Sequence, residues 1–453
     1  MKHHELLELE YLSKTYDEAN IPLYLSYPVS SWWKTRMDER MFVNEYSTTD
    51  NPFLYFHFPY CRKACFYCAC YKAVSDDKHK NDIYIQHLEK EFLHKLALLE
   101  ISGFKDVKHL HWGGGTPTHL SLTQIDKIFN ATCRHISFAH EDASSISIEA
   151  YPDEKDISYE KLKLLKDIGF NEISFGIQDF DKRIQKVINR DTQENSVRKI
   201  VGMSKELGFR VHVDLCYGLP FQGQNELENT MKTVISMEPD RVALFTYAHY
   251  PLSFPLQRQI PSSSIPNSFI RVLMSKSAQD LFLEHGYHKV GYDHFVKKGN
   301  SLHQADTGKK VVRDFMGYSV ENRKQFMGFG HAAISFLGKG FFQNLLSLED
   351  YYTAVSESRL PIEGKMGHIL SQDDELRNKL IQQQIMCEFA INLSDIENQF
   401  NIDFRSYFKP ELNRLDSLRD DGLVTYDDSN TITLTKTGRY FARHVAKVFD
   451  KYC

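Results

Sequence analysis

From about residue 52 the chain alternates between two hydrophobic patterns. Short apolar or β-branched runs at 53–58, 109–112, 145–150, 173–178, 211–215 and 242–247 end mostly in Gly, Pro or a polar residue, as strands do. Between them, 82–100, 122–135, 160–168, 196–207 and 225–237 carry apolar residues at helical spacing. Strands alternating with helices predict parallel βα units, here an α/β fold built as a partial (β/α)6 barrel. Chemistry in that architecture gathers at the C-terminal ends of the strands. His111, Glu149, Gln178 and Asp214, polar residues within apolar runs, fall at or near such ends. Residues 1–50 form a polar, aromatic-rich N-terminal extension, helical early, then marked by Pro22, Pro28 and Trp32-Trp33. Composition shifts again near 345. The last stretch predicts helices at 373–388 and 412–420, a short hairpin through Gly422-Leu423-Val424 and 431–434, and a final helix at 437–449. The expected organisation is an extension lying over the site (1–50), a barrel (51–345) and a smaller, mainly helical, winged-helix-like C-terminal domain (346–453).

Composition narrows the partners more than the fold. Apolar residues at 42% and charged residues at 25% are ordinary for a soluble globular protein. With 55 basic and 60 acidic residues the formal charge is −5, so no basic excess favours nucleic acid. The C-terminal domain is not strongly basic either, which predicts a packing or covering role rather than DNA binding. No apolar run approaches the roughly 18 residues of a membrane helix, and Glu5 falls where a secretory signal would be apolar. A cytoplasmic protein with no membrane anchor is expected.

The cysteines carry the chemistry. Four of the eight, Cys61, Cys65, Cys68 and Cys70, crowd into one short stretch directly after the first strand. That distribution favours a metal or redox site over a disulfide framework. A CxxxCxxC triplet can hold three corners of a [4Fe–4S] cubane and leave one iron without a protein ligand. An open iron can chelate the amine and carboxylate of S-adenosylmethionine (SAM), whose reductive cleavage yields a 5′-deoxyadenosyl radical. A four-cysteine zinc site including Cys70 is the competing arrangement, but structural zinc usually takes two well-separated pairs. Gly113-Gly114-Gly115-Thr116-Pro117-Thr118 follows the second strand, where consecutive glycines let backbone approach a ligand and offer it N–H groups. The run lacks the lysine of a phosphate loop.

These residues resemble a known family, the radical SAM oxygen-independent coproporphyrinogen III oxidases (dehydrogenases), over nearly the whole chain. The shared stretches include the CxxxCxxCxC motif, Ser147-Ile-Glu-Ala-Tyr-Pro152, Ser174-Phe-Gly-Ile-Gln-Asp-Phe180 with Asn189-Arg190, Val213-Asp-Leu-Cys-Tyr-Gly-Leu-Pro220, Tyr247-Ala-His-Tyr-Pro251, Gly291-Tyr-Asp-His-Phe295 and Gly328-Phe-Gly-His-Ala-Ala-Ile-Ser335. The resemblance implies that Cys61, Cys65 and Cys68 ligate the cluster. It implies that Tyr55, Gly114, Glu149, Gln178, Arg190 and Asp214 bind the cluster-bound SAM, Tyr55 among the catalytic residues. Tyr67, Gly115, Thr116, Ala248 and Ile334 would line a second SAM site. The implied activity belongs to heme biosynthesis: two propionates of coproporphyrinogen III become vinyl groups, giving protoporphyrinogen IX. The implied partners are a tetrapyrrole substrate and a one-electron donor protein of flavodoxin or ferredoxin type, with the enzyme a monomer. His249, His294, Lys297 and Lys298 are candidate partners for the substrate carboxylates.

Two departures from the family pattern bear on the substrate. Met316 stands where the family run Arg-Asn-Phe-Gln-Gly-Tyr has its glutamine, and a thioether cannot replace an amide's hydrogen bonds. Leu23 stands where the leader Pro-Arg-Tyr-Thr-Ser-Tyr-Pro has its arginine. They keep two alternatives in view: a paralogous enzyme acting on another tetrapyrrole, such as a haem-opening methyltransferase, and a haem chaperone. Cys70 argues against the chaperone, whose relatives usually lack the last cysteine of the CxC pair.

Overall fold

Six sequence-adjacent strands pair in parallel in the computed structural model, which describes residues 3–17, 21–139, 144–308, 310–320, 325–427 and 430–453. They are β1 (Phe53–Phe58), β2 (His109–Gly114), β3 (Ser145–Ala150), β4 (Glu172–Gln178), β5 (Arg210–Tyr217) and β6 (Arg241–Thr246). Each is followed by a helix on the outer side; the expected ones form at Lys78–Leu98, Leu122–Cys133, Tyr159–Asp167, Glu194–Glu206 and Gln224–Ser236. Local chemistry sets their starts. Ser121 and Gln124 make a reciprocal capping box, and the Ser158 side chain accepts from the Lys161 N–H.

The period of two along each strand decides what faces where. Phe56, Trp112, Ile148, Phe175, Val213 and Val242 are fully buried beneath the helices. Their neighbours Tyr55, His111, Glu149, Ser174, Asp214 and Ala243 point the other way, into a single cavity. A barrel thus forms with an apolar shell outside the sheet and a polar lining within.

The sheet extends beyond the predicted six strands to thirteen. Phe326–Phe329 adds a parallel strand against β1, and Ile334–Leu337, Gly340–Gln343, Met366–Ile369 and Thr35–Arg36 continue antiparallel from it. At the other edge β7 (Tyr287–Val290) and β8 (His294–Lys297) form a hairpin with β8 against β6. A separate hairpin, β9 (Val311–Asp314) and β10 (Gly317–Val320), turns at Phe315-Met316 beside the cavity.

The helix expected at 373–388 forms differently. It is α-helical over Gln372–Asn378 and then winds as a π-helix over Lys379–Glu388. Every residue from Leu380 to Cys387 is buried, and the wider turn places the Gln382 amide 2.9 Å from the Tyr24 carbonyl of the leader. The final helix likewise opens with a 3₁₀ turn, Gly438–Phe441, before Ala442–Val448. The hairpin strands Val424–Tyr426 and Thr431–Leu434 gain a third partner in Ala390–Asn392. Leader residues Leu9, Leu12, Ile21, Tyr24 and Tyr27 share one apolar core with Ile385, Phe441 and Phe449, so the two chain ends are packed together. Among the described residues no helix is long and apolar enough to cross a membrane.

Candidate active site

The inner faces of all six parallel strands enclose a cavity of about 940 Å³, near the top of the roughly 300–1,000 Å³ range of ligand pockets. The cysteine loop closes one side of it. Its backbone is tied down by Phe66 N–H to the Ile188 carbonyl (2.9 Å), Ala73 N–H to the Pro59 carbonyl (2.8 Å) and the Asn189 amide to the Ala64 carbonyl (2.7 Å). Cys61, Cys65, Cys68 and Cys70 all line the cavity, and none of the eight cysteines is in a disulfide.

Each of the first three sulfurs faces a hydrogen-bond donor. The Thr116 hydroxyl lies 3.4 Å from Cys61 Sγ, Arg190 Nη1 lies 3.3 Å from Cys65 Sγ, and the Cys70 N–H lies 3.4 Å from Cys68 Sγ. Such donors favour thiolates. The hydrogen bond from the Cys70 side chain, with Lys72 nearby, brings Cys68 down to about 5. The same bond pushes Cys70 up, and burial raises Cys61 to about 11. The donor set fits a polynuclear iron–sulfur group. Three thiols stand on one loop at one cavity wall, whereas among the described residues no three Cys, His, Asp or Glu side chains converge as a single metal ion requires.

The strand residues next to the loop form a connected polar surface. The Tyr55 hydroxyl donates to His57 Nδ1 (2.9 Å), and His57 Nε2–H donates to the Tyr71 carbonyl (2.8 Å). Burial lowers His57 to about 4, which keeps it neutral. His111 stacks on Tyr55 at 5.9 Å and reaches Ser147 (2.7 Å) and Glu149 (3.2 Å); the Gly114 N–H donates to the other Glu149 oxygen (3.1 Å). Asp214 accepts from the Ser174 hydroxyl at 3.0 Å and is pushed up to about 6 by burial and by Glu149. Arg190 lies over the Tyr151 ring and donates to the carbonyls of Ile177 and Gly176, to Thr192 and to Tyr67. Gln257 bridges the carbonyls of Tyr67 and Ala248, both at 3.1 Å.

The residues expected to hold the cluster and SAM all reach this one cavity: Cys61, Cys65, Cys68, Tyr55, Tyr67, Gly114, Gly115, Thr116, Glu149, Gln178, Arg190, Asp214, Ala248 and Ile334. Gln178 ends β4 at φ 71°, a left-handed conformation that turns the chain out of the strand. Gly114 has φ 107°, and a Cβ there would lie 2.5 Å from the His57 ring. Gly114→Ala is therefore expected to displace His57 and destabilise the fold by about 1–3 kcal/mol, measured by urea unfolding.

The four guesses for the substrate carboxylates fare differently. His294 lines the cavity but is held by Asp293 (2.7 Å), and burial lowers it to about 4, so it is neutral. His249 lies in a smaller adjoining pocket, between the Tyr247 and Ser262 hydroxyls. Lys297 and Lys298 line neither, and Lys297 is bound to the Glu238 carbonyl. Sequence reasoning passed over the buried Asp293–Arg313 pair (2.9 Å) and Arg241, both on the cavity wall. The strand periodicity held a signal for Arg241, which shares the inward parity of Ala243 and Phe245.

A parallel partial barrel with three donor-supported thiols on the loop after its first strand defines a radical SAM enzyme. Residues 55–234 match the radical SAM superfamily. An oxygen-independent coproporphyrinogen III oxidase of Pseudomonas aeruginosa is 33% identical over 446 residues, covering 97% of this chain and 95% of that one. The Escherichia coli enzyme of the same name is 34% identical over 434 residues, covering 95% and 93%. The solved structure of a coproporphyrinogen III oxidase from Escherichia coli, described as a radical SAM enzyme, superposes with a TM-score of 0.87 at 34% identity, over 95% of this chain and 98% of that one. The chain belongs to the oxygen-independent coproporphyrinogen III oxidase family.

Proposed function

We propose that this enzyme oxidatively decarboxylates two propionate side chains of coproporphyrinogen III to vinyl groups, giving protoporphyrinogen IX. The observation that carries the reading is the continuity of the cavity: one space runs from the cysteine loop, across the inner faces of six strands, to Arg241 and Arg313. The relatives named above bear the name of that activity over nearly their full length, and neither a haem-opening methyltransferase nor a haem chaperone is favoured.

In this reading Cys61, Cys65 and Cys68 hold three irons of a [4Fe–4S] cluster and leave the fourth to SAM. When bound, the cluster and SAM would supply a 5′-deoxyadenosyl radical, the hydrogen abstractor needed at a propionate β-carbon; loss of carbon dioxide with transfer of one electron to an external one-electron acceptor would leave the vinyl group. The chain's own residues position the reactants. Asp214 would accept from ribose hydroxyls, and Arg190, whose Nη1 lies between Cys65 Sγ and the Tyr67 hydroxyl, would pair with the SAM carboxylate. Tyr55, Gly114, Glu149 and Gln178 complete the first SAM site. Tyr67, Gly115, Thr116, Ala248 and Ile334 are assigned to a second; they and Met316 line the same cavity. The reading includes a one-electron donor protein of flavodoxin or ferredoxin type, a monomeric working form and a cytoplasmic location.

The test is anaerobic reconstitution with SAM, a reductant and coproporphyrinogen III, followed by mass spectrometry. The expected product has lost two carboxyl groups, with matching 5′-deoxyadenosine. Deoxyadenosine with the porphyrinogen unchanged would sink the assignment of substrate.

A further inference from the structure

Arg241 is a half-buried cation on the cavity wall that the roles above leave unused. It opens β6 and faces inward, at the opposite end of the strand from Tyr247 and Ala248 beside the cysteine loop. Five residue steps along β6 separate Arg241 from Thr246, or about 17 Å at strand rise. Arg241 therefore lies at the far end of the cavity from the thiols.

The other cavity cations are already committed. Arg62 pairs with Asp156 (2.7 Å), Arg190 serves carbonyls and a thiol, Arg313 pairs with Asp293 (2.9 Å), Lys72 donates to the Cys68 carbonyl (3.3 Å), and Arg443 donates to the Ile21 carbonyl (3.3 Å) and lies over the Tyr292 ring. Lys63 and Lys155 are exposed at the rim. Among the described residues the Arg241 side chain makes no hydrogen bond and no ion pair. Four acids face it, yet each has a closer partner. Glu172 binds Arg210 (2.7 Å), Asp214 binds Ser174 (3.0 Å), Asp293 binds Arg313, and Asp314 binds Ser319 (3.0 Å) and the Met316 N–H (2.7 Å).

A half-buried guanidinium that faces a cavity without a bidentate partner has donors to offer a ligand, and desolvation lowers the pKa of Arg241. A planar carboxylate is the ligand its fork matches. The turn of the β9–β10 hairpin lies against Arg241 without closing it off from the cavity that both line. Gly317 (φ 98°) sits where a Cβ would lie 3.0 Å from His294 Nε2 and 3.3 Å from Arg241 Nη2, so the hairpin packs close without covering the guanidinium with a side chain.

Building on the proposed substrate, we infer that Arg241 is a specificity-determining residue that binds a propionate of the tetrapyrrole, one that is retained rather than decarboxylated. The far-end position separates this propionate from the radical chemistry beside the cysteine loop. A bidentate guanidinium also stabilises the carboxylate charge, which a reacting propionate must surrender when carbon dioxide leaves. An anchored carboxylate is thus a poor one to decarboxylate and a good one to hold.

The experiment compares binding of coproporphyrin III and of its tetramethyl ester by absorbance titration. It uses the reconstituted, SAM-loaded wild-type enzyme and the Arg241→Ala and Arg241→Gln variants. The wild type is expected to prefer the free acid, and loss of Arg241 to weaken acid binding about ten- to a hundredfold while leaving ester binding and the SAM dissociation constant unchanged. KM for coproporphyrinogen III should rise more than kcat falls, and Arg241→Lys should recover part of the loss. No preference for the acid in the wild type, or a preference that survives in both neutral variants, overturns the inference. Wild-type enzyme that binds and cleaves SAM but leaves coproporphyrinogen III unchanged would instead count against the decarboxylase reading on which it rests.

Discussion

Replacing Cys61, Cys65 or Cys68 by alanine is expected to bring cluster iron and SAM cleavage to background, whereas Cys70→Ala keeps both within a few-fold of wild type. The difference follows from how the four sulfurs are placed. The first three each face a donor that stabilises a thiolate: Thr116, Arg190 and the Cys70 N–H. Cys70 instead serves as a donor to Cys68, through its backbone and its side chain. Alanine at 70 removes the thiol but keeps the N–H, so Cys68 loses part of its stabilisation and none of its geometry. Under the proposed assignment, alanine at 61, 65 or 68 removes a ligand outright and leaves a cubane with two thiolates, too few to hold it. Iron and sulfide analysis of anaerobically reconstituted variants, with 5′-deoxyadenosine quantified in parallel, checks the set. Loss of iron in Cys70→Ala with retention in Cys68→Ala would falsify the ligand assignment.

What the sequence revealed of this site has a physical basis. The runs at 53–58 and 145–150 form strands with those bounds because one face of each is apolar and their ends are marked by Pro52, Pro59 and Pro152. The order of strand, cysteine loop, strand and glycine loop places both ligand-approaching turns at the same end of the barrel. The edge strands were harder to read. Phe326–Phe329 and Gly340–Gln343 are buried on both faces, so no alternation marks them, and their glycines resemble loop residues. Apolar spacing at 373–388 signals a helix but not its hydrogen-bond register, so the π-helical half was invisible. Lys297 and Lys298 drew notice as adjacent charges, yet solvated charge is the ordinary fate of such pairs. Arg241 reads from sequence as a polar strand start, and only the cavity shows that its charge faces inward.

The ion pair between Asp293 and Arg313 joins residues twenty positions apart and gives the largest expected effect on stability. Both side chains are almost wholly buried, at 6% and 3% exposure. Arg313 donates from two nitrogens to the two Asp293 oxygens (3.2 and 2.9 Å) and from Nε to the Tyr24 carbonyl (3.2 Å), while His294 donates to the same carboxylate. The pair therefore ties the β9–β10 hairpin to the start of β8 and to the leader, three segments that wall the cavity. Asp293→Asn keeps the shape and removes the charge, leaving a buried guanidinium without a counterion. That is expected to cost about 3–5 kcal/mol, measured from urea unfolding at pH 7. Its pH dependence has a definite sign. Burial alone would raise the Asp293 carboxyl, but Arg313 and His294 hold it well below the usual carboxylate range. A group depressed in the folded state contributes its stability above the unfolded value of about 4, and that contribution fades as pH falls below it. The stability gap between wild type and Asp293→Asn should accordingly narrow on going from pH 5 toward pH 3. A gap that stays constant over that interval, or a variant that unfolds at the wild-type urea concentration, would mean that the hairpin is held by its apolar contacts and not by this pair.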